Sequence, residues 1–181
     1  MPRINPINEK TATPDAAGIL GAVRQKLGTV PNLISTMANS PAVARAYLGF
    51  SEDLSTGSLS LRLREQIALR VGEQNGCEYC VAAHTVLGKG AGLNQEETRN
   101  ARMALSGNKK ERVALEFASR VVHKRGKVSD EDVNMVRNAG YSDGEINEIV
   151  ANVVLNIFTN YTNLVAGTEL DFPPAPDLAA A

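Results

Sequence analysis

The chain has 181 residues, with 19 Lys and Arg against 20 Asp and Glu, a formal net charge of -1 and a pI of about 6.1. That length suits one domain with a sizeable core, and 43% hydrophobic with 22% charged residues excludes the disordered, collagen-like and coiled-coil classes. The charge balance lacks the basic footprint of nucleic-acid binding, and no run reaches the roughly 18 apolar residues of a membrane helix.

In chain order, residues 1–14 carry three prolines and read as an extended arm. The opening MPRINPINEK has no apolar segment of the secretory kind, so the expected location is the cytoplasm. Ile19, Leu20, Val23 and Leu27 recur at helical spacing over 15–27, and Gly28 follows as a cap. Pro31 and Pro41 each stand at a first-turn position, opening helices through Met37 and Leu54. Leu61, Leu63, Ile67, Ala68 and Val71 line one face of a helix over 59–74, which stops at Asn75-Gly76. The next helix begins near Cys77 and runs to about Lys89. Asn94, ahead of Glu96 and Glu97, opens another to about Leu105, and 108–125 follows with a basic last turn. Ser129 and Ser142 each precede an acid by three residues, Asp132 and Glu145, the pattern of a capping box. The last helix, about 142–166, is the longest; its most apolar run, Ile149 to Phe158, is interrupted by Asn152 and Asn156. No segment alternates with period two between turn residues. The expected fold is therefore an all-α bundle of about eight to nine helices, one domain over 15–170, with a loose proline-rich tail over 171–181.

The only two cysteines, Cys77 and Cys80, lie three apart. A disulfide closing so short a loop would stabilise little, so a reversible redox pair is the better reading. On a helix, Cys77, Cys80 and His84 fall within an arc of about 60°, with His84 one turn beyond Cys80. An imidazole there can hydrogen-bond the thiol and take its proton, and a first-turn position favours the thiolate. Glu65 sits in the preceding helix, about 15 Å of helix from the turn, so the helix crossing must bring it to the cysteines. Glu73, four residues before Cys77, is nearer in sequence and stays an alternative.

The pattern E-x11-C-x-x-C-x-x-x-H within LREQIALRVGEQNGCEYCVAAHTVLGKGAGL resembles the signature of the AhpD-like, carboxymuconolactone decarboxylase superfamily. The stretch NIFTNYTNLVAGTELDFP is similar to its peroxidase-related branch. The resemblance implies an AhpD-like helical bundle, a homotrimer or homohexamer, and thiol-dependent hydroperoxide reduction without a cofactor. It makes Cys80 the peroxide-attacking thiol, Cys77 the resolving thiol, and Glu65 with His84 a proton relay. It also implies an external dithiol reductant, lipoyl or thioredoxin-like. Tyr79 stands where the best-known peroxidase members carry a histidine, and a phenol with a pKa near 10 is a poor base at pH 7. The decarboxylase members lack the cysteine pair.

Other readings are a non-catalytic redox sensor or partner-binding oligomer, and a zinc scaffold. Zinc is disfavoured because C-x-x-C-x3-H on one helix points ligands along a line rather than around a tetrahedron. His123, in a basic helix end, suits a solvated role that complements the dipole. Tyr79 suits a pocket wall or packing. Asn152, Asn156, Asn160 and Asn163 form a stripe at helical spacing, either a polar edge or a set of hydrogen bonds at an interface or the active-site mouth.

Overall fold

Helix boundaries follow capping chemistry. A computed structural model describes residues 1–178, which form nine α-helices and no strand. They are α1 Pro14–Leu27, α2 Asn32–Met37, α3 Pro41–Ser55, α4 Leu61–Gln74, α5 Glu78–Gly90, α6 Gln95–Arg102, α7 Lys109–His123, α8 Asp130–Asn138 and α9 Asp143–Ala166. The Thr13 and Ser60 hydroxyls accept from Ala16 N and Leu63 N at the starts of α1 and α4. Full capping boxes open α6 (Asn94 with Glu97), α8 (Ser129 with Asp132) and α9 (Ser142 with Glu145). α6 ends at Arg102, earlier than its sequence suggests. Ala104 adopts φ 59° there, and Leu105 N reaches back to Asn100 O at 2.9 Å. A left-handed alanine gives no glycine signal to read.

α4 is the hub, packing against α5, α6, α7 and α9. Its Leu63, Ile67 and Val71 join Leu115 and Phe117 of α7 and Ile149 and Val153 of α9 in the larger core. A second core lies under α1 to α3, where Leu20, Leu33, Ile34 and Met37 surround Cys77, Tyr79, Cys80 and Ala83. The cysteine pair is thus roofed by the N-terminal helices.

The α4–α5 hairpin positions the site. Gly76 takes φ 66°, which reverses the chain where a side chain would be strained. A methyl at Gly72 would lie 3.3 Å from Val81 Cγ2 and 3.5 Å from Cys80 Cβ; one at Gly88 would lie 3.0 Å from Leu93 Cδ1. These glycines let the helices close antiparallel along their length.

Both terminal segments are bound down. Arg3 N and Ile4 N donate to Ala166 O, and Ile7 N to Ser35 O. The segment from 171, proline-rich and expected loose, packs over α2, α5 and α6. Asn32 N donates to Asp171 Oδ2 at 2.6 Å, the Phe172 ring stands edge-on to Tyr79 at 5.7 Å, and Arg102 donates to Pro176 O at 2.5 Å. Positions 179–181 of that tail lie outside the described residues. α9 is, by length and a mean hydropathy of 1.3, apolar enough to cross a membrane, despite its interrupting asparagines. Of that stretch 44% is buried within the bundle.

Candidate active site

Cys77 is the N-cap of α5, and its Sγ accepts from Cys80 N at 3.3 Å. Its thiol donates to Cys80 Sγ, 2.7 Å away, and neither cysteine is bonded in a disulfide. Both are nearly closed to solvent, 1% and 2% exposed. A second donor comes from α9, where Asn163 Nδ2 lies 3.2 Å from Cys80 Sγ. Asn160, one turn earlier, accepts from Asn75 Nδ2 at 2.8 Å through its Oδ1. The Cys77 hydrogen bond is the main reason the Cys80 thiol titrates below the ordinary thiol range. Burial opposes that shift, and the His84 charge with the Asn163 and Asn160 amides supports it. Cys77, which gives its hydrogen bond to Cys80 and is buried, is pushed up. Of the two thiols, Cys80 is the one whose ionised form the surroundings favour.

His84 and Glu65 meet, with Nδ1 2.8 Å from Oε2. Burial disfavours a charged imidazole, but the Glu65 carboxylate outweighs it and His84 titrates above its ordinary value. The sequence reading has His84 hydrogen-bonding the Cys80 thiol. The structure commits Nδ1 to Glu65, while the hydrogen bonds to Cys80 Sγ come from Cys77 and Asn163. His84 acts on the thiol through its charge, one turn away. Glu65 likewise reaches His84 rather than the cysteines, and an antiparallel hairpin suffices for that. Beside the pair lies a polar cavity of about 80 Å³, walled by Tyr47, Glu65, His84, Asn152, Asn156 and Thr159. Tyr47 is pushed up to about 12, by burial first and then by the Cys80 and Glu65 charges, so it stays a proton donor at neutral pH.

Cys77 opens on other space. It lines a cleft of about 490 Å³ with Glu73, Glu78, Arg102 and the strap Pro174–Asp177. Glu73, the alternative to Glu65, is spent on Arg102 at 2.7 Å. The Tyr79 hydroxyl accepts from Leu33 N at 3.2 Å, and burial raises its pKa against that hydrogen bond, so it packs and holds α2 rather than relaying protons. His123 is exposed at the end of α7. Asn152, Asn156, Asn160 and Asn163, the stripe on α9, are all buried, so they are not a solvated edge. Tyr47 and Arg102 carry no motif and are found only through packing. Among the described residues, no three His, Cys, Asp or Glu side chains converge as a metal site.

The described residues thus form an all-helical bundle with a buried, mutually hydrogen-bonded cysteine pair at a helix start. Residues 41–120 match the model of the Carboxymuconolactone decarboxylase family. No curated protein matches the chain in sequence. Among solved structures, it is similar to an AhpD-core, peroxidase-related protein from Ralstonia eutropha JMP134, at TM-score 0.84, 22% identity and coverage of 94% of this chain and 92% of that one. A peroxidase-related protein from Silicibacter sp. TM1040 matches at TM-score 0.79 and 22% identity, over 92% and 91%. The debrominase Bmp8, solved with 2,3,4-tribromopyrrole, matches at TM-score 0.77 and 22% identity, over 93% and 91%. At these identities the likeness is one of fold. The chain thus has an AhpD-like helical fold, and its segment 41–120 is similar to the carboxymuconolactone decarboxylase family.

Proposed function

We propose that the chain is a thiol-dependent hydroperoxide reductase. The observation that carries this reading is the Cys80 sulfur, hydrogen-bonded by Cys77 and Asn163 and one turn from the Glu65–His84 pair. The Cys80 thiolate attacks the distal peroxide oxygen and the O–O bond breaks. Sulfur becomes a sulfenic acid, and the alkoxide takes a proton from His84, whose charged form Glu65 favours. The Cys77 thiol then attacks the sulfenic sulfur, expelling water and forming the disulfide. An external dithiol returns both thiols. The cysteine pair does the electron chemistry without a cofactor.

The test is steady-state peroxide consumption with dithiothreitol as reductant. Cys80→Ser should abolish turnover, and Cys77→Ser should consume about one peroxide per chain. Equal activity in both variants would reverse the roles. Burial of both sulfurs favours a second reading, a redox sensor that toggles without multiple turnover; it predicts a Cys77–Cys80 disulfide and no steady-state consumption. The debrominase neighbour adds bromopyrroles as substrates to include in that assay. We also infer a cytoplasmic homotrimer or homohexamer. Exposed Val154, Tyr161 and Val165 on one face of α9 support self-association.

A further inference from the structure

Within the asparagine stripe on α9, one half behaves unlike the other. Asn152 and Asn156 turn their amides back onto their own helix, donating to Glu148 O and Asn152 O at 2.8 Å each. Asn160 and Asn163, one turn apart on the same face, reach instead to the α4–α5 turn. Asn160 Oδ1 accepts from Asn75 Nδ2 at 2.8 Å, which fixes its amide and leaves Nδ2 as a donor. Asn163 Nδ2 lies 3.2 Å from Cys80 Sγ, which leaves Oδ1 as an acceptor. Both residues are sealed from solvent, at 0% and 3% exposure. Neither Asn160 Nδ2 nor Asn163 Oδ1 has a hydrogen-bond partner among the described residues. The Asn160 amide also favours a charged Cys80, which puts it within electrostatic reach of the sulfur.

A buried donor and a buried acceptor left unmatched beside one sulfur are costly, and such groups are rare in folded chains. A hydroxyl satisfies both at once, because its oxygen accepts and its hydrogen donates. A thiolate has no hydrogen to give Asn163 Oδ1, and neither has a disulfide.

We propose that Asn160 and Asn163 cradle the hydroxyl that passes from a hydroperoxide to Cys80, and the sulfenic acid that results. The proposal rests on the peroxidase reading and adds to it two side chains that touch the reacting oxygen. The Cys80 thiolate attacks the hydroxyl-bearing oxygen of R–O–O–H; the S–O bond forms and the O–O bond breaks. Sulfur gives up two electrons, and the leaving alkoxide takes its proton from His84. Throughout, the transferred oxygen accepts from Asn160 Nδ2 and its hydrogen donates to Asn163 Oδ1. The two oxygens are thereby sorted. The polar cavity of Glu65 and His84 is walled on α9 by Asn156 and Thr159, so the leaving oxygen meets its acid there. The transferred hydroxyl meets its cradle further along the same helix. Because the cradle matches the sulfenic acid better than the thiolate or the disulfide, it speeds the first step and holds the product until Cys77 attacks.

The test compares two reactions of the same thiolate. Hydrogen peroxide brings a hydroxyl to Cys80, whereas iodoacetamide brings a carbon and has no hydroxyl to place. Both rates are followed in the full chain carrying Cys77→Ser, which keeps a hydroxyl donor beside Cys80, at a pH where Cys80 is fully ionised; dimedone labels the sulfenic acid. Adding Asn160→Ala should slow the peroxide reaction at least about tenfold, as for a lost hydrogen bond to a charged group, and change the iodoacetamide rate by less than about threefold. Asn160→Ser withdraws the amide but keeps a polar group in the buried position. It should give the same split, and it carries the test where the alanine variant does not fold. Equal slowing of both reactions, or of neither, would overturn the cradle and leave the peroxidase reading standing. Alkylation of Cys80 with no dimedone-reactive product from peroxide would overturn both. The full split in rates without steady-state turnover of the unsubstituted chain would support the cradle and overturn the peroxidase reading alone.

Discussion

The ionised form of Cys80 is favoured by groups from distant parts of the chain: Cys77 at the helix start, His84 one turn on, and Asn163 from α9. A buried amide aimed at a sulfur favours its ionised form, and removing it leaves the thiolate in apolar surroundings. Because the folded-state value lies below the ordinary thiol range, iodoacetamide should alkylate Cys80 at lower pH than a free thiol. Asn163→Ala should move the midpoint of that alkylation profile upward by about one pH unit. An unmoved midpoint would show that Cys77 and His84 suffice. Asn163 makes the contact across 83 positions of sequence, which is why periodicity could place it in a polar stripe and go no further. Cys80 and His84 share one helix, so their register was readable directly.

At the scale of elements, the hairpin of α4 and α5 decides the geometry. Glu65 and His84 lie on opposite sides of the Asn75-Gly76 turn at comparable distances from it, and close packing at Gly72 and Gly88 brings them into contact. Gly72→Val should wedge the helices apart, costing roughly 2 kcal/mol and lowering Tm by about 4–8 °C. Thermal unfolding with and without the substitution checks it; an unchanged Tm would mean that Val81 yields freely. Helix starts were legible where Ser and Asn caps announce them, as at Asn94, Ser129 and Ser142. The end of α6 was not, because Ala104 turns left-handed without a glycine. The strap over Cys77 was also hidden: prolines bar regular structure there but do not prevent packing, and it is Arg99 and Arg102 of α6 that tie it down.

For the whole molecule, α9 joins the site to the surface. One side supplies Asn163 to Cys80; another leaves Val154, Tyr161 and Val165 in solvent. If that face is where subunits meet, Tyr161→Glu combined with Val165→Glu should reduce the mass measured by light scattering to that of one chain, 19.3 kDa. An unchanged assembly would move the interface elsewhere.

The clasp between the first residues and the end of α9 has a consequence for biosynthesis. Arg3 Nε donates to Val165 O, 162 positions later, at 2.7 Å, where the guanidinium also meets the negative end of the helix dipole. A ribosome adding about 5–20 residues per second leaves that arginine waiting roughly 8–30 s for its partner. The arm is therefore made first and docked last. During that interval α1 to α3, which roof the cysteines, lack both the arm and α9.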